Sequence, residues 1–395
     1  MTLAELALTI ALLGALGLVA RRLGLSAIPA YLLAGLLLGP NEPKELSVIR
    51  PSEVTEFVAE LGVVFLLLFL GLEFSLGRLS RTGRHVGLGG VVDLAVNAGL
   101  GLVVGLVAFG PSMAALVLAA CIYISSSAIA VKGLIDFRRL GDDETDLVLA
   151  ILVFEDLVIA FMLGYAAVGG GEVSDSLLLL FKVLVFITLG VAASRWLARP
   201  LDRLLERLPL EFFLLAVFGF LVGSAAIAEE LGLSAAIGAL MAGIVLSETS
   251  VRAQIEDRFF SFRDIFAALF FFVFGLSIDV AAIGDIGWIL ALAVLVTVTG
   301  KVGTGWIAGR LGGFTSRQSF NAGVALIAHG EFTVILAELA SRNPAIDAGT
   351  RRDLVAFAGL YVLATATLGV VLMKESKRLG RVLFPTRTLA PEVSS

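Results

Sequence analysis

Residues 22–40 read RLGLSAIPAYLLAGLLLGP, and much of this stretch occurs again as ELGLSAAIGALMAGIVLSE at residues 230–248. Aligned without a gap, the two copies share LGLSA and a later AG at the same spacing. A second similarity follows each copy, with FLGLEF at residues 69–74 and VFGLSI at residues 273–278. The chain is therefore predicted to contain two related halves, since apolar composition alone rarely produces spaced identities of this kind.

The composition is that of an integral membrane protein. Of the 395 residues, 58% are hydrophobic and 16% are charged, and the mean hydropathy is +0.99. Soluble domains are about 45–50% apolar and about 25% charged. The apolar runs are continuous, which predicts membrane helices and excludes a membrane barrel of alternating strands. The net charge of −5 argues against a nucleic-acid partner, and the single Cys121 excludes an internal disulfide.

Hydropathy predicts an all-α polytopic fold with thirteen membrane spans. They are expected at residues 3–20, 26–39, 56–77, 86–109, 113–135, 146–168, 175–196, 210–229, 233–248, 264–280, 286–308, 317–340 and 353–373. Corresponding spans of the two halves then lie seven apart, and an odd number inverts the second copy, as in many secondary transporters. The membrane domain, residues 1–385, divides into repeat one (about 1–168), a linker helix (about 175–196) and repeat two (about 210–373), and residues 386–395 form a short cytoplasmic tail.

The loops differ in their basic residues. With the amino terminus outside, the inner loops, inner helix ends and tail hold most of the arginines and lysines. The outer loops hold only Lys44, Arg50, Arg342, Arg351 and Arg352. This bias predicts an outer amino terminus and a cytoplasmic carboxyl terminus.

Each half contains one span with residues that are unusual inside a membrane helix. The fifth span has SSS at residues 125–127, and the twelfth has HGE at residues 329–331. Serine hydroxyls can replace missing backbone partners and glycine tolerates distortion, so both spans are predicted to break at matching positions. Glu331 is expected to neutralise the partly positive ends of the broken helices, and Lys132 the partly negative ends.

Two adjacent acids, Glu155 and Asp156, lie inside the apolar run ILVFEDLVIAF at residues 151–161. Each costs about 2.5–3.5 kcal/mol at the centre of a membrane helix on insertion scales, which indicates a functional site. Successive helical residues are about 100° apart. One acid is therefore expected to face the crossing of the broken helices, and the other a neighbouring helix or a water-filled funnel. A buried carboxylate near a cation can hold a proton or a monovalent cation but not both, and this competition is the minimal mechanism of exchange.

Lys301 lies too deep in the eleventh span to reach either membrane surface, so a buried acidic partner is expected. A purely structural alternative is an ion pair between Asp156 and Lys301 that only fixes helix packing. Asp93, 208 positions before Lys301, is interpreted as its counterpart in the first repeat. Two roles stay open for Asp93, an acid of the entry path or a partner for a polar group.

Six motifs resemble, in order, those of the cation/proton antiporter superfamily and especially its Kef-like branch. They are AELGVVFLLLFLGLEF, SSSAIAVKGL, VFEDLVIAF, LMAGIVLSE, FFFVFGLSID and HGEFTVILAELA. The resemblance implies a transporter, with no enzymatic activity and no cofactor, that exchanges potassium or sodium for protons in a prokaryotic inner (plasma) membrane. It also implies a homodimer in which a core domain moves like an elevator against a dimerisation domain. By this resemblance Asp156 takes the place of the essential ion-binding aspartate, Glu155 the variable position before it, and Lys301 the basic residue of the eleventh helix. Together with the helix breaks, this predicts an ion and proton site of Asp156, Glu155, Ser126 and Ser127, with supporting charges on Lys301, Glu331 and Lys132.

Two departures from that family leave questions open. Kef-type proteins often have Gln before the aspartate and sodium-selective electrogenic relatives often have Asp, whereas this chain has Glu155, so ion identity and stoichiometry stay open. Kef-type proteins also continue into a nucleotide-binding domain, but this sequence ends soon after its last span. Three alternatives stay open: a separate cytoplasmic nucleotide-binding subunit regulates this protein, the protein is not regulated in this way, or the sequence belongs to a longer chain. The alternative functions are a passive cation channel and an organic-anion symporter on a related fold.

Overall fold

The computed structural model describes residues 3–23, 26–40, 52–73, 83–168, 196–231 and 235–385. Every regular element within these ranges is helical, as predicted. The predicted linker helix, except for residue 196, and the predicted tail lie outside the described residues.

The helices follow the predicted spans closely. The first half contains α1 (Leu3–Arg22), α2 (Ala27–Leu38), α3 (Glu53–Glu73), α4 (Gly83–Asp93), a π-helical turn (Leu94–Ala98), α5 (Gly99–Phe109), α6 (Met113–Tyr123), α7 (Ser127–Asp136) and α8 (Thr145–Val168). The second half contains α9 (Leu210–Glu230), α10 (Ala235–Ser247), α11 (Arg252–Ser277), α12 (Ile283–Leu311), α13 (Ser316–Ala325), α14 (Glu331–Ser341) and α15 (Ala348–Leu383). Among the described residues, seven stretches are long and apolar enough to cross a membrane, and α2 and α10 are shorter apolar helices.

Helix α11 begins at Arg252, well before the predicted start of its span at residue 264. Ile255 and Phe259, one turn apart, are buried, with 0% and 2% of their surfaces exposed. Arg252 Nε lies 2.7 Å from Glu256 Oε1 on the same helix. A hydropathy average misses these turns because an apolar stripe is diluted by the polar residues around it.

The two halves pack on each other through reciprocal pairs of glycines. Gly35 of α2 lies against Gly275 of α11, and Gly243 of α10 lies against Gly71 of α3. A β-carbon at any of these positions would overlap a backbone carbonyl oxygen of the facing helix. Small residues let membrane helices approach this closely. Each half therefore supplies the short helix that packs on the other half.

A second set of glycines repeats between the halves. Gly101 and Gly105 of α5 face α6, while Gly305 and Gly309 of α12 face α13. Corresponding glycines are 204 positions apart, as are the FLGL and VFGL motifs. The packing of α5 on α6 in the first half is thus reproduced by α12 on α13 in the second.

This spacing corrects the predicted counterpart of Lys301. The copies at residues 22–40 and 230–248 are 208 positions apart, but the spacing beyond them is 204. The connection from α10 to α11 is shorter than that from α2 to α3, which shifts every later pair. Asn97, and not Asp93, therefore corresponds to Lys301.

The helices form two packed groups. One group contains α1, α2, α3, α9, α10 and α11, and the other contains α4 to α8 with α12 to α15. Contacts between the groups are sparse and include those of α15 with α2 and of α10 with α8. A cavity of about 400 Å³ separates α3 and α11 from α14 and α15. All predicted site residues lie in the second group, which we call the site group, and we call the first the scaffold group.

Candidate functional site

The two predicted helix breaks are present, between α6 and α7 and between α13 and α14, and they cross each other. Ser126 N donates to Ala328 O at 2.7 Å, and Ser125 Oγ donates to Leu326 O at 2.8 Å. A β-carbon at Gly330 would lie 2.5 Å from Ser126 Oγ, so the close crossing requires glycine there. Donors of the first break thus bind backbone carbonyl groups of the second, which leaves fewer polar groups without a hydrogen bond inside an apolar environment.

Glu331 begins α14 at the point where the amino ends of α7 and α14 meet. Ser126 Oγ donates to Glu331 Oε2 at 3.0 Å and accepts from Ile129 N at 3.3 Å, so Ser126 caps α7. The carboxylate thus faces the partly positive helix ends, where the sequence predicts it. Ser126 is also a predicted ion ligand, but its hydroxyl contacts Glu331 and not the acids of α8.

Asp156 lies in α8 beside the first residue of α7. Ser127 Oγ is 3.2 Å from both Asp156 Oδ1 and Oδ2 and donates to this carboxylate. Asp156 is 7% exposed, so it is nearly but not completely enclosed. A carboxylate and a hydroxyl oxygen are hard ligands, which suit a proton or an alkali cation better than a soft metal.

Glu155 reaches the same break from its other side. Its Oε2 accepts from Ser125 N at 2.6 Å, and its Oε1 accepts from Ser125 Oγ at 2.9 Å and from Lys301 Nζ at 2.7 Å. Glu155 thus contacts a neighbouring helix through Lys301, as predicted for the second acid, but it also contacts the crossing, which the prediction assigned to one acid alone. Because α8 runs alongside the break, its adjacent acids contact Ser125 and Ser127 separately.

The sequence predicts one buried acidic partner for Lys301, and the structure shows two, Asp93 and Glu155. Its Nζ lies 3.1 Å from both Asp93 Oδ1 and Oδ2, 2.7 Å from Glu155 Oε1 and 2.7 Å from Tyr123 O. Asp93 is therefore the partner of a polar group, one of its two predicted roles. The structural alternative, an ion pair between Asp156 and Lys301, is not what Lys301 forms: it pairs with Glu155 and Asp93.

Lys132 does not lie at the helix crossing, which corrects its predicted role. Its Nζ is 3.0 Å from Asp136 Oδ2 within α7, and its side chain is 48% exposed. Lys132 lies beyond the first turn of α7. Its side chain therefore reaches Asp136, four residues later on the same helix, and not the helix ends at the crossing. Lys301, which donates to Tyr123 O at the carboxyl end of α6, occupies the place predicted for Lys132.

Sequence reasoning missed several polar groups around Lys301. Asn97 Nδ2 donates to Asp93 Oδ1 at 2.8 Å and to Thr304 Oγ1 at 2.9 Å. Asn97 carries a signal, since it is a polar residue four positions after Asp93 in an apolar helix. Ser125 belongs to the recognised serine run. A backbone carbonyl such as that of Tyr123 carries no sequence signal.

Comparison with known proteins gives a consistent result. Residues 8–374 match the family described as sodium/hydrogen exchanger, transmembrane. The chain is 37% identical to the K(+)/H(+) antiporter subunit KhtU of Bacillus subtilis (strain 168), over 98% of this chain and 97% of that protein. It is 29% identical to the ammonium/H(+) antiporter subunit AmhT of Alkalihalophilus pseudofirmus, over 93% and 91% of the two chains. The solved structure of the sodium proton antiporter MjNhaP1 from Methanocaldococcus jannaschii superposes with a TM-score of 0.72. The superposition covers 97% of this chain and 98% of the MjNhaP1 chain. The sequence identity is 16%, so this match supports only the fold.

Proposed function

The chain belongs to the sodium/hydrogen exchanger family of transmembrane proteins, and from this premise we propose that it is a secondary active antiporter that exchanges a monovalent cation for protons. The proposal rests on the position of Asp156, whose carboxylate is nearly buried at the helix crossing. Asp156 lies within residues 8–374, which match the family. Potassium and sodium are both candidate cations. The protein acts as a transporter and not as an enzyme.

Exchange arises from competition for one carboxylate. Asp156 holds either a proton or the cation, and Ser127 supplies a hydroxyl that orients the carboxylate. Removal of the proton on one side of the membrane frees the oxygen atoms for the cation, and protonation on the other side releases it. The site is exposed to one side at a time, so the proton gradient drives cation movement.

The proposed movement is elevator-like. The site group carries Asp156, and the scaffold group holds it through sparse contacts. Glu60 of α3 and Arg342 at the end of α14 form an ion pair of 3.5 Å across the boundary, near the 400 Å³ cavity. Sparse contacts and a cavity favour sliding of one rigid group along the other.

We also propose thirteen spans, inverted-topology repeats and a cytoplasmic carboxyl terminus. The reciprocal glycine contacts and the matched breaks support the repeats. Two of the predicted inner basic residues support this orientation, since Arg317 Nε donates to Phe384 O and Lys377 pairs with Asp142 near the carboxyl end of α15. Arg342 lies near the opposite end of α15, whose 36 residues span about 54 Å.

The proposed assembly is a homodimer in a prokaryotic plasma membrane, on the basis of the family resemblance. A separate cytoplasmic regulatory subunit is also proposed. The relatives from Bacillus subtilis and Alkalihalophilus pseudofirmus are each named as an antiporter subunit, which supports this second proposal.

Purified protein in liposomes with an imposed pH gradient tests the function. Addition of potassium or sodium should release protons from the lumen in a saturable way, measured with an enclosed pH dye. Tracer cation should move in the opposite direction. Measuring the exchange at several clamped membrane potentials gives the stoichiometry, since electroneutral exchange does not respond to potential. Cation flux without proton counterflow, relative to protein-free liposomes, would instead identify a channel.

A thiol cross-link across the group boundary tests the movement. Glu60→Cys with Arg342→Cys, joined by a bifunctional reagent, should slow exchange at least about tenfold, since the joined groups cannot slide. The native Cys121 is buried and gives little background. The matched control joins Glu338→Cys to Arg342→Cys, an ion-paired position one turn away on the same side of the boundary. Equal exchange in both cross-linked proteins would contradict sliding at this boundary.

A further inference from the structure

Three charged residues beside Asp156 form a completely buried cluster. Asp93, Glu155 and Lys301 are each 0% exposed. The Lys301 ammonium contacts both carboxylates and the Tyr123 carbonyl, so each of its three N–H bonds has an acceptor group. One cation therefore faces two acids, and the cluster has one more acidic group than basic groups.

Asp93 is held in this cluster by a local distortion of its helix. The π-helical turn at Leu94–Ala98 follows it directly, and such turns often occur at functional sites. Within this turn, Asn97 Nδ2 donates to Asp93 Oδ1 at 2.8 Å. A β-carbon at Gly300 would lie 2.4 Å from Asn97 Oδ1, so glycine there leaves room for the Asn97 side chain in its present position.

The electrostatic consequence concerns the neighbouring Asp156. If Lys301 were paired with Glu155 alone, that pair would be neutral and Asp156 would be the only acid to attract the cation. Asp93 supplies a second carboxylate to Lys301, at 3.1 Å through both oxygens. With all three groups ionised, the cluster carries one net negative charge near Asp156, in a region where charges are weakly screened.

We infer that Asp93 raises the affinity of the transport site for its cation by offsetting the charge of Lys301, so that the buried cluster beside Asp156 carries a net negative charge and is not neutral. Asp93 is thus a positioning residue that acts through its contact with Lys301. This inference rests on the proposed function.

The test is the cation KM of Asp93→Asn in the liposome assay at a fixed alkaline pH, at which protons compete little with the cation for Asp156. We expect KM to rise about tenfold, because two unit charges about 12 Å apart in a medium of effective dielectric constant about 20 interact by that factor. The maximal rate should stay within about twofold, because Asp156 and Ser127 are unchanged. Thr304→Val is the matched control, since it removes one acceptor of Asn97 without changing charge, and its KM should equal that of the wild type.

The exchanged pair Asp93→Asn with Asn97→Asp keeps both the charge and the hydrogen bond between these two positions. Its KM should return to within about threefold of the wild-type value, since the charge moves by only one helical turn. This variant also carries the test if Asp93→Asn alone does not fold. An unchanged KM in Asp93→Asn, or a tenfold higher KM in the exchanged pair, overturns the inference. Absence of exchange in the wild type would instead overturn the proposed function.

Discussion

Asp156→Asn is expected to reduce cation/proton exchange to the rate of protein-free liposomes. The amide has nearly the shape of the carboxylate and its oxygen can still accept from Ser127, which lies 3.2 Å from the native oxygens. It carries no charge and does not take up or release a proton near neutral pH. Both halves of the exchange cycle are therefore lost while packing is preserved.

The measurement is proton efflux driven by added potassium or sodium, together with the melting temperature of the purified variant. We expect the melting temperature to stay close to that of the wild type. Ser127→Ala is the graded control, because it removes one hydrogen bond to the carboxylate and should slow exchange by about tenfold or less. Full exchange by a folded Asp156→Asn protein would place the exchange site elsewhere in the chain.

Lys301→Met is expected to give the largest loss of stability, about 3–5 kcal/mol in the free energy of unfolding. The methionine fills most of the volume but leaves Asp93 and Glu155 without their shared cation and removes the donor to Tyr123 O. Removing one partner of a buried ion pair costs more than removing all partners, because an uncompensated charge stays behind.

Thermal unfolding of purified protein, followed by loss of the monodisperse chromatographic peak, measures this effect. Glu155→Gln is the matched control, since it keeps Lys301 paired with Asp93 and should lower the melting temperature much less. Adding Asp93→Asn and Glu155→Gln to Lys301→Met removes every charge of the cluster and should recover much of the loss. A wild-type melting temperature for Lys301→Met would mean that the cluster is stabilised by other groups.

Much of the fold was predictable because membrane helices are long, apolar and separated by polar loops. The position of the helix crossing was also predictable, because serine, glycine and acidic residues stand out in an apolar background. The start of α11 was not, since the buried stripe of Ile255 and Phe259 lies among charged residues.

The partners within the site were harder to predict. That Lys301 needs an acid follows from its depth, but which acid depends on the register between helices α4, α8 and α12. The helical period predicts which residues share one face of a helix. It does not predict how far along its axis that helix is shifted relative to its neighbours. The spacing of 208, correct for the first motif, therefore gave the wrong counterpart for Lys301.

The reciprocal glycine contacts have a consequence for biosynthesis. Helices α2 and α3 find their glycine partners only in α11 and α10, roughly 200 residues later in the chain. At about 5–20 residues per second, translation reaches those partners about 10–40 s after the early helices emerge. Helices α2 and α3 must therefore remain in the membrane without these glycine partners during this interval. Chaperones or lipids that occupy the glycine faces in that time would determine how much of the newly made chain reaches its folded state.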